Sequence, residues 1–336
     1  MVNLMDLVKA NKRKEGIYAE GMTGVPTDGK GEEWKENIIA MATRNRVYEQ
    51  FCHVDTSLVG TKDSIAHIPV QTARYTWLTT APSNAGTALG VRKWTKMDAV
   101  SVVNVEVDAT NWYYPGVAIA EYDQESSPIN FAKYGRDQML AAFRDIPEQS
   151  IVTAAVTGAG VSALYGGSAT SVNNLTVGSI LTPDLIINAK SLLRKKGYIP
   201  DGIVCAVDQT GALEKDSQFT NASEYGSDEI VRQGFGEIGR YVGLRVFTSD
   251  NAPVYASGAT DPAENLTWGC AGARAIMFGR NDAGDRPTIA SVWKQKESIK
   301  TEFNDNAASH LIMGKFGHAA KRLTTNGFVF INTSIM

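Results

Sequence analysis

The chain has 336 residues, a formal net charge of -3 at pH 7, 43% hydrophobic and 21% charged residues, and 31 glycines. That length suits one large domain or two ordinary ones, with roughly 75% of the unfolded surface open to burial. No apolar run reaches the roughly 20 residues that cross a bilayer, which sets membrane insertion aside, and the balance of charge excludes a broadly basic nucleic-acid reader while leaving room for a local basic patch. The three cysteines, Cys52, Cys205 and Cys270, are odd in number and far apart, so neither a disulfide framework nor a zinc site is indicated. With no apolar core of a secretory signal at the N-terminus, the expectation is an intracellular product with buried thiols.

Residues 1 to about 33 open with Leu4, Leu7 and Val8 on one helical face and run through KANKRK into the Gly/Pro/Thr-rich GMTGVPTDGKG. Too little apolar surface is present for independent folding, so this segment reads as an arm ordered by a partner or as a disordered tail. From Trp34 the spacing of Ile38, Ile39, Met41, Ala42, Val47, Tyr48 and Phe51 is helical. Between about His53 and Pro115 the period changes to two. Ile65, His67 and Pro69 alternate with Ala66, Ile68 and Val70, and Val103, Val105 and Val107 alternate with Asn104, Glu106 and Asp108. Two long strands are implied, separated by a non-periodic stretch of roughly 18 residues, LTTAPSNAGTALGVRKWT, longer than compact domains ordinarily tolerate. A long isolated hairpin is marginal in water, which points to support from another subunit.

Ser127 and Pro128 mark a helix start, with Phe131, Tyr134, Met139, Leu140, Phe143 and Ile146 at helical spacing; Pro147 is expected to kink that helix or end it before Ile151. Ala154 to Gly178 reads as a glycine-rich loop with one strand. A helix from Pro183 to Lys196 follows, with Thr182 as N-cap and Gly197 as stop, then a buried strand from Ile203 to Val207 and a short polar helix. RAIMFG and TIASVWKQKESI read as strands. HLIMGKFGHAAKRLTTNGFVFINTSI reads as a long strand, a turn at Asn326-Gly327 and a final strand.

Chemistry-bearing patterns are sparse. GFGEIG, with Gly234, Gly236 and Gly239, matches a dinucleotide fingerprint literally, but charged residues precede it and a strand-like run follows, where the fingerprint needs a buried strand and then a helix N-terminus. The histidines His53, His67, His310 and His318 show no ligand spacing, no Gly-x-Ser-x-Gly elbow is present, and Cys205 lies in an apolar strand. No catalytic, cofactor or metal site is indicated, and the protein is read as a non-enzyme. Lys9, Lys12, Arg13 and Lys14 form the densest cationic group, suited either to phosphates of nucleic acid or to acidic neighbours of an arm. Asn111-Trp-Tyr-Tyr-Pro-Gly116 superficially suggests a base-stacking platform; at a strand end such aromatics read better as core or interface anchors.

GYIPDGIVCAVDQTGALEKDSQF (197–219) and GEIGRYVGLRVFTSDNAP (236–253) resemble the axial-domain passage of the major capsid proteins of tailed viruses. The order of arm, long hairpin, long helix, mixed α/β region and final long strands resembles their Hong Kong 97-like fold over nearly the whole chain. The resemblance implies an α+β fold. Residues 1–33 would be the N-terminal arm; 34–53, 117–177 and 291–336 a peripheral domain with a spine helix at about 128–156; 54–116 an extended loop; and 178–290 an axial domain. It implies a coat protein that self-assembles through pentamers and hexamers into an icosahedral shell around double-stranded DNA, located in the virion capsid and in host cytoplasm before assembly. Arg92, Lys93 and Trp94 at the loop end, with Gly239, Arg240 and Gly243, are the implied intersubunit contacts, and Lys9, Lys12, Arg13 and Lys14 the implied genome or arm contacts. Gly239 and Gly243 would permit a tight approach, and Ser249-Asp250-Asn251 would end a strand near the capsomer axis. Lacking a long N-terminal scaffolding region, the chain would work with a separate scaffolding protein or none, besides portal and decoration proteins. No pattern identifies a Lys-Asn crosslink, and no cofactor is implied. An encapsulin-like cellular shell and a soluble α/β nucleotide-binding enzyme are the competing readings.

Overall fold

The structure is a computed structural model and describes residues 46–71, 102–120, 131–215, 237–241, 243–281, 284–286, 288–304 and 309–335. Its strands are β1 (His53–Asp55), β2 (Ile65–Gln71), β3 (Val102–Asp108), β4 (Trp112–Tyr113), β5 (Gly116–Ala120), β6 (Ser162–Tyr165), β7 (Ile199–Cys205), β8 (Glu237–Tyr241), β9 (Leu244–Thr248), β10 (Val254–Tyr255), β11 (Gly272–Arg280), β12 (Ile289–Asn304), β13 (Ser309–Arg322) and β14 (Phe328–Ser334). Its helices are α1 (Phe131–Val156), α2 (Pro183–Lys195) and α3 (Val207–Glu214). The chain divides into two compact units: one comprises 1–44, 112–146 and 296–317, and the other 45–111, 147–295 and 318–336.

The larger unit is built on a sheet of order β6-β14-β11-β7-β9-β8, with β10 paired to β11. Alternate residues of its central strands supply two separate cores. Ile276, Phe278, Phe328, Phe330, Val204 and Phe247 face Ile151, Val152, Ala155 and Val156 of α1 together with Val47, Tyr48 and Phe51. Ala275, Met277, Val329, Ile331, Ile203 and Val246 face Ile186, Ala189 and Leu193 of α2 and Leu213 of α3. A strand covered on both faces loses its polar alternation, which is why Ala275–Phe278 of β11 and Phe328–Ile331 of β14 read as continuous apolar runs. In this unit β2 and β3 form an antiparallel pair from Ile65↔Asp108 to Gln71↔Val102, and β1 pairs in parallel with the start of β12. In the smaller unit β4 and β5 pair antiparallel with β13, and Tyr113 stacks on Phe316 at 5.0 Å while Phe143 meets the same ring edge-on.

Several sequence expectations need revision. The strand expected at Ile203–Val207 begins four residues earlier, because Ile199 and Pro200 pair with β11 beyond a bulge at Phe278/Gly279, where a residue without an N–H is tolerated. Val207 instead opens α3, whose first turn is fixed by Gln209 Oε1 accepting the Ala206 N–H at 3.0 Å. Of the kink or end expected at Pro147, the end does not occur: α1 runs on, and the buried contacts of Ile151, Val152, Ala155 and Val156 outweigh one missing backbone bond. Leu140, placed by periodicity on the apolar face, is 42% exposed. Helix α2 stands as expected, although Thr182 caps it through its carbonyl, which accepts the Leu185 N–H, and not through its hydroxyl.

Candidate assembly surfaces

One face of the β2–β3 hairpin is apolar throughout, with Ala66 opposite Val107, Ile68 opposite Val105 and Val70 opposite Val103. At the base this face is closed, packed against Leu58, Ala109, Ala290 and Val292. Burial then fades along the strand: Val107 is 1% exposed, Val105 half-buried and Val103 51% exposed. The base is pinned by polar contacts, with Lys321 Nζ donating to the Glu106 carbonyl at 2.8 Å, Lys294 Nζ donating to Ser64 Oγ at 2.7 Å and the Ala109 N–H donating to the Ser64 carbonyl at 2.8 Å. The opposite face is mixed, with His67 directly across from Glu106 at 3.6 Å and with Ile65 and Val102 exposed. At its end Thr110 donates from both N–H and hydroxyl to Asp108, and these bonds hold that exposed carboxyl below its usual range. The hairpin is thus anchored at one end, and at the other its apolar face opens at Val103.

In the smaller unit the aromatic run divides. Tyr113 faces the core, whereas Trp112 and Tyr114 flank Lys315, whose Nζ lies 4.3 Å from the Trp112 ring centre and 5.9 Å from that of Tyr114. Tyr114 is 65% exposed, and Met313, on β13 with Lys315, is also exposed. This is the composition of an interface anchor, a cation held between aromatic rings.

The segment Arg46–Cys52 is inserted into the core of the larger unit. The Phe51 ring stacks on Phe278 at 5.1 Å and meets Phe247 edge-on at 5.4 Å. It passes so close to Gly202 that a Cβ there would lie 2.5 Å from its Cζ. Glu148 Oε1 accepts the N–H groups of Tyr48 at 3.0 Å and Glu49 at 3.2 Å, and Trp293 Nε1 donates to Glu49 Oε1 at 2.8 Å. Burial, opposed by those backbone bonds, pushes the Glu148 carboxyl up to about 7. Nearby, His318 is held between Ser150 Oγ and Ser291 Oγ, both at 2.9 Å, and burial lowers it to about 4. A second buried polar set joins Arg274 to Asp261 and, through Nε at 2.8 Å, to Asn332 Oδ1, with the guanidinium 4.4 Å from the Phe330 ring centre. Neither set has a periodic signature, and sequence reading missed both; their only trace is a charged or polar residue inside an apolar run, as in ARAIMFG.

Of the residues marked in the sequence, Arg92, Lys93, Trp94, Lys9, Lys12, Arg13 and Lys14 lie outside the described residues, as do Gly234 and Gly236. Gly239 and Arg240 lie in β8, paired with Val246 and Arg245 of β9. Gly243 sits in the turn joining these strands with φ +73°, a conformation glycine alone adopts readily. Strand β9 ends at Thr248, and Ser249 closes the following turn by accepting the Ala252 N–H at its carbonyl and the Asn251 N–H at its hydroxyl. Residues Glu237–Tyr241, at the end of GFGEIG, form a strand and not the helix a pyrophosphate cradle requires. Cys52, Cys205 and Cys270 are free and buried. Among the described residues no group of three or more His, Cys, Asp or Glu side chains could hold a metal, and no helix is long and apolar enough to cross a membrane.

No protein-family model and no curated relative matches the chain. Solved structures do. The capsid of Ralstonia phage GP4 superposes with a TM-score of 0.64 at 13% identity, covering 94% of this chain and 97% of that one. The capsid of a native GTA particle gives 0.61 at 11% identity, covering 94% and 98%. The SrpI encapsulin of Synechococcus elongatus PCC 7942 gives 0.52 at 9% identity, covering 90% and 93%. The chain has the fold of tailed-phage major capsid proteins. It is the α+β, Hong Kong 97-like fold anticipated from the order of its segments.

Proposed function

We propose that the protein is a major capsid protein that assembles through pentamers and hexamers into an icosahedral shell enclosing double-stranded DNA. The observation that carries this reading is a shared fold over more than nine-tenths of both chains, joined to a hairpin whose apolar face opens at Val103 as it leaves its own core. A face of that kind is stable only when another surface covers it. On this reading residues 54–116 are the extended loop lying over a neighbouring subunit, with Arg92, Lys93 and Trp94 as contacts at its end. Residues 34–53, 117–177 and 291–336 form the peripheral domain. The axial domain, 178–290, brings Gly239, Arg240, Gly243 and the Ser249–Asn251 turn to the capsomer axis. Residues 1–33 act as an arm, with Lys9, Lys12, Arg13 and Lys14 meeting genome phosphates or acidic neighbours. Each contact is weak, and closure makes later association steps nearly intramolecular, so the shell holds without any strong pairwise bond. The role is structural and not enzymatic. Scaffolding, portal and decoration proteins are the expected partners, and the subunit passes through host cytoplasm before it enters the virion.

Negative-stain electron microscopy with light scattering on concentrated protein tests this. Closed shells, tubes or hexameric rings are expected. A strictly monomeric species with saturable small-molecule binding would overturn the reading in favour of an enzyme. Higher TM-scores to the phage and GTA capsids than to the encapsulin favour a genome container over a cellular cargo shell.

A further inference from the structure

Glu148 is 1% exposed, and its carboxyl reaches a chain segment a hundred residues away, taking the Tyr48 N–H on both oxygens at 3.0 Å. It directly follows Pro147, where the division between the two compact units falls. Among the described residues no cation lies within ion-pair distance of it. The groups that act on this cluster are Tyr48, Glu49 and Cys52 from the inserted segment, Cys205 from β7, Tyr255 from β10 and Arg286 from the loop before β12. His318 from β13 stands nearby, with Arg46 acting on it. The amide donors favour the ionised carboxyl, but burial without a countercharge outweighs them and favours the neutral form.

We propose that Glu148 is a proton-sensitive latch: neutral, it holds Arg46–Cys52 in the core; ionised, it weakens that hold and loosens the segment. The inference rests on the geometry of this unit and stands whether or not shells form. The proposed arm, residues 1–33, lies on the N-terminal side of this segment, so the hold on the chain that follows the arm would depend on the protonation of one side chain in the core.

The direction follows from linkage. Burial raises the folded-state value to about 7 from the ordinary 4.5. The stabilising contribution is therefore full below about 4.5 and is lost as pH rises through about 7, and the equilibrium for opening the segment rises about tenfold between about pH 6 and about pH 8. The test is hydrogen exchange at the Tyr48 and Glu49 amides in the full chain across that range, corrected for intrinsic base catalysis. Wild type should lose about tenfold in protection; Glu148→Gln, an uncharged isostere, should lose none. Equal losses in both proteins would overturn the proposal. Because Glu148→Gln could fail to fold, carbon NMR of wild-type protein labelled at glutamate carboxyls supplies an independent reading. One carboxyl titrating near neutrality supports the latch, and all carboxyls titrating below about pH 5.5 would refute it.

Discussion

Val103 and Val107 are the same residue type on the same face of the same strand, yet one is 51% exposed and the other 1%. Substituting each by Asp separates folding from assembly. In Val107→Asp a carboxylate replaces a side chain packed against Ala290 and Val292, and burying a charge without a partner costs several kcal/mol, a large share of the roughly 5–15 kcal/mol that holds a domain folded. In Val103→Asp the new charge stays in water, so the subunit should melt within about 0.5 kcal/mol of wild type. Burying the remaining half of Val103 under a neighbour is worth about 1 kcal/mol, or about fivefold in one contact's affinity; burying Asp there reverses the sign and adds a desolvation penalty. Repeated over every subunit of a shell, that change abolishes closure. The assay is thermal melting of the subunit beside electron microscopy and sedimentation of assembled material. Val103→Asp should melt normally and form no shells, and Val107→Asp should fail to fold. Normal shells from Val103→Asp would refute the argument that the open face is covered on assembly.

His318 is buried neutral, lowered from 6.5 to about 4, so its contribution is present above about 6.5 and lost as pH falls to about 4, worth about 3 kcal/mol. Across that window Glu148 acts with the opposite sign, so wild-type melting should be nearly level between about pH 4.5 and 6.5, while Glu148→Gln should lose stability steadily on acidification; calorimetry at stepped pH checks both. Phe51→Ala should cost about 3–5 kcal/mol by denaturant titration, since the ring is fully buried between Phe278, Phe247 and Gly202. Arg274→Met should cost about 3–5 kcal/mol because it strands Asp261, whereas Arg274→Met combined with Asp261→Leu should recover much of the loss, as equilibrium unfolding of both variants would show.

The two strands of the hairpin were legible because β2 and β3 each alternate between a face packed on the core and a face turned to water, so period two survives in the sequence. Helix α2 was legible from its proline start, glycine stop and apolar spacing. Strand β7 was misplaced at both ends because a strand buried on both faces loses its alternation, and only pairing with β11 and β9 decides where it begins. The continuation of α1 through Pro147 was decided by tertiary contacts that local propensity cannot see.

Local patterning by itself determined the kinds of element and their order, since period, punctuation and composition are properties of neighbouring residues; the α+β class followed from the resemblance that this order carries. Only the tertiary structure decided which part of the hairpin face stays open, that Glu148 caps a segment a hundred residues away, and that Arg274 and His318 are buried with partners. Burial and countercharge depend on residues brought together across the chain, and no local pattern carries them.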